Sequence, residues 1–176
     1  MLTTSWNGLL SLIAAIAASG TPAHADDAAP GDSPASRALP AIRSDFVDKQ
    51  YYVTGNVSRG LFADDCTFID PTTTVTGVDR YLAALQALFD PATSRADLIS
   101  LEATGPRTLL LRWRLEGKLK IGGLAIKPYT GSTVYTLGED GRVVRHEETW
   151  DISALDAFVS TLIPGFGAPP APPVAR

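Results

Sequence analysis

The sequence predicts an α+β fold in which helices come first and a curved antiparallel meander of strands follows. Three observations lead there. Apolar residues recur at helical spacing in the first half of the folded part and strand-like runs fill the second half. The run Thr108 to Ile121 alternates apolar and polar residues with unusual regularity, as a strand with one buried face must.

Read in order, the chain opens on a targeting-like segment over residues 1–25. Leu9 to Ala18 is a short apolar run, followed by Ser19-Gly20-Thr21-Pro22 and then Ala23-His24-Ala25, which has the form of an export signal with an A-x-A cleavage site. No Lys or Arg precedes the run, so the chain starts upstream of Met1 or the signal is atypical. The run is shorter than the roughly twenty apolar residues that cross a bilayer, so stable membrane insertion is not expected. Residues 26–41, rich in Ala, Pro, Asp and Ser, are expected to be a disordered linker. The Pro- and Gly-rich tail, residues 165–176, is expected to lack a fixed fold. The folded domain is therefore placed at residues 42–164.

Within it, Ile42, Phe46, Val47 and Tyr51 suit a first helix to Tyr52, and Val57 to Phe62 a second short turn. Cys66 to Asp70 reads as the first strand, stopped by Pro71, which has no N–H to donate. From Gly77, Tyr81, Leu82, Leu85, Leu88 and Phe89 recur as an amphipathic helix, ended by Asp90-Pro91. Leu98 to Ala103, Thr108 to Ile121, Thr130 to Leu137 and Arg142 to Ile152 are the longer strands. Glu139-Asp140-Gly141 is the turn between the last two. Ala154 to Leu162 closes the domain as a helix, with Ser153 as its N-cap. In the second of these strands Trp113, Leu115, Gly117, Leu119 and Ile121 are assigned to the core face. Arg112, Arg114, Glu116, Lys118 and Lys120 are assigned to water.

Composition narrows the function classes. The chain has 176 residues, 45% hydrophobic and 19% charged, enough for one domain with a real core. A net charge of −4 argues against a nucleic-acid partner. Cys66 is the only cysteine, so no intrachain disulfide forms, and its place beside Phe68 makes it a packing residue. With His24 in the presumed signal, a multi-histidine metal site is ruled out, and neither metal nor cofactor is expected.

The candidate site starts from Asp70. Side chains alternate along a strand, so if Phe68 faces the core, Asp70 does too. A carboxylate there is costly unless it is paired, hydrogen-bonded or wet. In the last strand, an inward Trp150 and Val144 bring His146, Glu148 and Ile152 to the same face. Asp70, His146 and Glu148 then form a carboxylate–imidazole–carboxylate cluster, with Asp70 as candidate base and His146 as acid or partner. Phe68, Trp113, Trp150 and Tyr51 or Tyr52 would wall a pocket around it. The alternative for Asp70 is a turn cap that bonds the backbone N–H groups of Thr72 to Thr74.

The order of elements, Leu61-Phe62-Ala63-Asp64-Asp65, the Asp70-Pro71 strand end and the Trp150 strand resemble the SnoaL-like branch of the nuclear-transport-factor-two-like superfamily. Tyr51-Tyr52-Val53-Thr54-Gly55, Trp113-Arg114-Leu115-Glu116-Gly117 and Lys127-Pro128-Tyr129-Thr130-Gly131 resemble an uncharacterised plastid family of plants and algae, a domain of unknown function within it. The resemblance implies a cone, a bent sheet wrapped around helices with a pocket between them. It also implies a homodimer through the sheet. By the same resemblance Asp70 sits where ketosteroid isomerase has its general base, and His146, Glu148 and Trp150 match pocket-lining positions. Thr133 falls where that enzyme has its oxyanion-stabilising acid, and only Tyr51 or Tyr52 could supply its helix tyrosine, so steroid isomerisation is not expected. Thr133 is counted with the ligand-binding residues. The expectation is a protein that binds a small, partly apolar ligand. The alternatives are an acid/base enzyme of isomerase, dehydratase or cyclase type using Asp70 and His146, and a non-catalytic dimerisation or assembly module. The export-like start and the resemblance together imply the chloroplast, with the thylakoid lumen within it, or else a secreted or other exported location.

Overall fold

Ser33 starts the first helix: its hydroxyl accepts the Ser36 N–H at 3.1 Å, and Pro34 follows at the first helical position. The helix, α1, runs Pro34–Val47 and buries Ala35, Ala38, Ile42 and Phe46 as one face. The helix thus takes in residues 34–41, expected to be linker. Their small side chains suit close packing on a sheet as well as they suit disorder. The computed structural model describes residues 32–175; the expected targeting segment 1–25 and residues 26–31 of the expected linker lie outside the described residues.

A single-turn helix, α2 (Tyr51–Thr54), follows, set off by left-handed Gln50 (φ 51°) and Gly55 (φ 66°). Gly55 is required as glycine twice over, because a Cβ there would also lie 2.9 Å from the Leu82 carbonyl. After a 3₁₀ turn at Arg59–Leu61 come β1 (Phe62–Ile69), the short β2 (Thr74–Thr76) and α3 (Val78–Leu88). Then β3 (Arg95–Gly105), β4 (Thr108–Lys118), β5 (Ala125–Leu137), β6 (Val143–Trp150) and α4 (Ala154–Leu162) complete the chain. Ser153 caps α4 as expected, accepting the Asp156 N–H at 3.0 Å.

The six strands form one sheet in the order β2-β1-β6-β5-β4-β3. All pairs are antiparallel except β1 with β6, which are parallel. The helices cover one face: α1 packs on β3 and α3 on β1. The core between them is largely aromatic and aliphatic, with Phe46, Phe62, Leu109, Leu111 and Trp113 almost fully buried. The fold is the expected α+β cone.

Several details differ from the sequence-based assignment, among them the first helix, which ends at Val47 and not at Tyr52. β4 ends at Lys118 after a register shift near Gly117, so Ile121 is exposed rather than inward. β6 carries an extra residue opposite the Thr136/Leu137 step, so Val143 is buried and Val144 faces out. Arg114, placed on the wet face, is buried because the tail crosses it: its Nε donates to the Ala171 carbonyl at 3.2 Å and its guanidinium also reaches Glu116 and Asp97. The tail is tied elsewhere too. Lys127, buried against Asp156, donates to the carbonyls of Phe166 (2.7 Å) and Ala168 (2.8 Å), and Ala171 N–H bonds Pro128 O at 2.8 Å. Residues 165–175 have no helix or strand, yet they are hydrogen-bonded to the body. Among the described residues no helix is long and apolar enough to cross a membrane.

Candidate functional site

Gly131 opens the space in which the site is built. β5 sets it between Trp113 of β4 and Trp150 of β6. A Cβ at Gly131 would lie 2.7 Å from the Trp113 ring and 2.6 Å from the Thr149 carbonyl, so only glycine lets that indole lie across the strand. Tyr129 fills the angle between the two indoles, its ring 5.7 Å from Trp113 and 5.4 Å from Trp150, tilted by 71° and 53°. Tyr52, delivered by α2, stands edge-on to Trp113 at 5.4 Å. Opposite these rings α3 contributes Leu85 and Leu88, and α4 contributes Ala157 and Phe158. The result is an apolar cavity of about 250 Å³, near the lower end of the roughly 300–1,000 Å³ range of ligand pockets.

Two carboxylates line it, Glu148 and Asp70. Glu148 projects from β6 with its side chain only 12% exposed. Trp150 Nε1 donates to its Oε2 at 3.2 Å and the Tyr81 hydroxyl to its Oε1 at 3.4 Å. Burial pushes its pKa up from 4.5 to about 7. The Trp150 hydrogen bond opposes that rise and the nearby Asp70 charge adds to it. Asp70 is committed to its turn: Oδ1 accepts from Thr72 N (2.6 Å), Thr72 Oγ1 (2.6 Å) and Thr73 N (2.9 Å). The capping alternative is therefore formed, and among the described residues Oδ2 is the oxygen left to a ligand.

His146 lies below this level. It is fully buried, and its Nε2 is 3.2 Å from the Tyr51 hydroxyl and 3.4 Å from that of Tyr52. Burial lowers its pKa from 6.5 to about 3, so the imidazole is neutral at ordinary pH. It forms no bond to Asp70, and the expected pair is replaced by a different neighbourhood. The reason is register: β1 sets Phe68 beside His146 and Ile69 beside Glu147, so the next residue, Asp70, comes level with Glu148. Nδ1 of His146 sits 3.9 Å from Glu148 and has no hydrogen-bond partner among the described residues.

The remaining predicted site residues divide between wall and support. Trp113, Trp150 and Tyr52 line the cavity. Tyr51, Thr133 and Phe68 stand behind it. Tyr51 bonds Tyr135 hydroxyl-to-hydroxyl at 2.6 Å. Thr133 accepts the Trp113 Nε1–H at 2.9 Å and contacts the Tyr52 hydroxyl, so it orients two wall residues. Phe68 stacks on Tyr81 with rings 3.9 Å apart. Cys66 is fully buried and its thiol is pushed up to about 12, as a packing residue's should be. Tyr81, assigned from its helical stripe to the core, is the partner of Glu148 that sequence reasoning missed. The available signal was a hydroxyl placed in an otherwise apolar row. Among the described residues no group of three or more His, Cys, Asp or Glu is placed to hold a metal ion.

Solved structures with this fold include a proposed SnoaL-like polyketide cyclase from Jannaschia sp. CCS1, at 16% identity over 72% of this chain and 91% of that one, TM-score 0.55. Another is a hypothetical protein with a ketosteroid isomerase-like fold from Catenulispora acidiphila DSM 44928, solved in complex with trimethylamine, at 15% identity over 74% of this chain and 99% of that one, TM-score 0.55. At such identities the likeness is one of fold. No curated protein matches the chain. Residues 36–146 match the family described as "Uncharacterized conserved protein (DUF2358)", and the chain belongs to that family.

Proposed function

We propose that the protein binds a small, largely apolar molecule in the cone, with Glu148 as the group that reads the ligand's polar end. The observation that carries this is Glu148 itself, a carboxylate set in an aromatic cavity and held by Trp150 and Tyr81 at 3.2 and 3.4 Å. A side chain serving only packing would be apolar there, because burying a carboxyl costs free energy that a leucine does not. Native mass spectrometry of the full chain tests the proposal. A co-purifying small molecule lost in Trp150→Ala supports it, and a cavity that retains nothing and takes up no small apolar molecule contradicts it.

A second reading is a proton-transfer enzyme of isomerase, dehydratase or cyclase type, and a specific observation favours it. A carboxyl with a pKa of about 7 is matched to give and take protons at neutral pH. In this reading Glu148 carries the proton, Asp70 Oδ2 meets the substrate at the mouth, and His146 supports from below. Glu148→Gln abolishing turnover of an identified substrate supports it; full activity in that variant removes Glu148 from the chemistry.

Two proposals concern the protein's setting. A homodimer through the sheet would bury the outer face that the tail partly covers at Arg114 and Pro128. A monomeric mass in solution contradicts it. A plastid location, with the thylakoid lumen within it, follows the export-like start and the resemblance to a plastid family; a mature protein that retains Met1 contradicts cleavage there.

A further inference from the structure

We propose that the ligand of this pocket is a small organic cation, an amine or quaternary ammonium group carried on an apolar body. The inference rests on the ligand-binding proposal and adds the chemical class.

It starts from the distribution of charge. The cavity wall holds two carboxylates, Asp70 and Glu148, and among the described residues no Lys, Arg or His lines it. The nearby cations are engaged elsewhere: Arg114 with Glu116 and Asp97, Lys127 with Asp156, Arg145 with Glu147. A second observation is the set of rings. Tyr52, Trp113, Tyr129 and Trp150 succeed one another at 5.4–5.7 Å with interplanar angles of 53–71°, so their planes turn around the cavity and do not stack in one direction. Ring faces carry negative potential, and a cation within about 6 Å of a ring centroid is attracted to it. Two carboxylates and a turning set of rings share one sign of potential, and the missing partner is positive.

The groups facing Glu148 sharpen this. They are Tyr52 from α2, Tyr81 from α3, Asp70 beyond β1, Tyr129 and Tyr135 from β5, and His146 on its own strand. The tyrosines are held neutral by burial and by the carboxylate charges. His146 is the one group among them able to become a cation, and its burial keeps it neutral. Among the described residues Glu148 is therefore without a cationic partner, and a bound ammonium would supply it. Binding would favour the ionised carboxylate and release a proton, so the affinity for a cation rises with pH through about 7.

Paired probes on the full chain test this: benzyltrimethylammonium and its uncharged isostere neopentylbenzene, measured by quenching of tryptophan fluorescence at pH 6 and pH 8. The cation is expected to bind at least ten-fold more tightly than the isostere at pH 8, by a smaller ratio at pH 6. Glu148→Gln is expected to bring the cation's affinity down toward that of the isostere. Equal or tighter binding of neopentylbenzene by the unaltered chain overturns the cation proposal and leaves the ligand-binding proposal standing. Failure of both probes to bind at any concentration overturns both.

Discussion

Trp150 donates its indole N–H to Glu148, two residues before it on the same strand, at 3.2 Å. The i, i+2 spacing puts both on the inner face of β6, and the bond fixes one carboxylate oxygen against an aromatic wall. The other oxygen faces Tyr81 at 3.4 Å, a long contact that leaves it open to a ligand. The chemistry of the pocket follows from this pair.

The pH dependence of stability is the first consequence. In the folded state Glu148 holds its proton up to about 7, whereas the unfolded chain loses it near 4.5, so its contribution falls as pH rises through that window. The rise corresponds to roughly 3 kcal/mol. Glu148→Gln is therefore expected to be more stable than the parent at pH 8 by up to about that amount, and little changed at pH 4.5. Denaturant unfolding at both pH values checks this, and an equal difference at the two would contradict it.

His146 acts with the opposite sign. Its folded-state pKa of about 3 lies below the ordinary 6.5, so stability is lost as pH falls from 6.5 toward 3. Between 4.5 and 6.5 the Glu148 and His146 slopes oppose each other, and the parent protein should show a flat stability profile there. Glu148→Gln should uncover the His146 slope, at most about 1.4 kcal/mol per pH unit. His146→Leu should resist acid better than the parent, yet lose about 1–3 kcal/mol at pH 7 because the Tyr51 and Tyr52 hydroxyls lose a buried hydrogen-bond partner.

Gly131→Val should push Trp113 off β5, since even a Cβ would come within 2.7 Å of its ring. The expected cost is about 1–3 kcal/mol, from overpacking, with loss of the cavity. Unfolding and probe binding measured on the same preparation check it. Unchanged binding would show that the Trp113 position does not matter to the pocket.

Removal of residues 165–176 should destabilise the domain by about 2–4 kcal/mol, because Lys127 and Arg114 are 8% and 3% exposed and would lose backbone acceptors. A truncated chain as stable as the parent in urea would contradict the tail's role.

How far the sequence foretold this depends on how local each feature is. The alternation of β4 is a period-2 pattern within one strand, and the burial of Leu109, Leu111, Trp113 and Leu115 follows it. Counting back from Trp150 likewise put Glu148 and His146 inward, but failed at Val144, where one extra residue shifts the phase. The Asp70–His146 pair failed for a longer-range reason. Which residue of β6 stands level with Asp70 is set by a parallel pairing across about 80 residues of chain, and no periodicity in either strand encodes it. The first turns of α1 were missed because Ala, Ser and Pro serve a linker and a tightly packed helix start alike. Arg114 was assigned to the wet face because one of its partners is a carbonyl of the tail, which carries no signature in side-chain composition.

Ligand binding as proposed turns on Glu148 being a desolvated carboxyl at the cavity wall. Carbon-13 NMR titration of its side-chain carboxyl, assigned by loss of the signal in Glu148→Gln, measures that directly. The expected midpoint is about 7 in the free protein, displaced when the pocket is filled. A midpoint near the ordinary 4.5, indifferent to every small molecule offered, would contradict it.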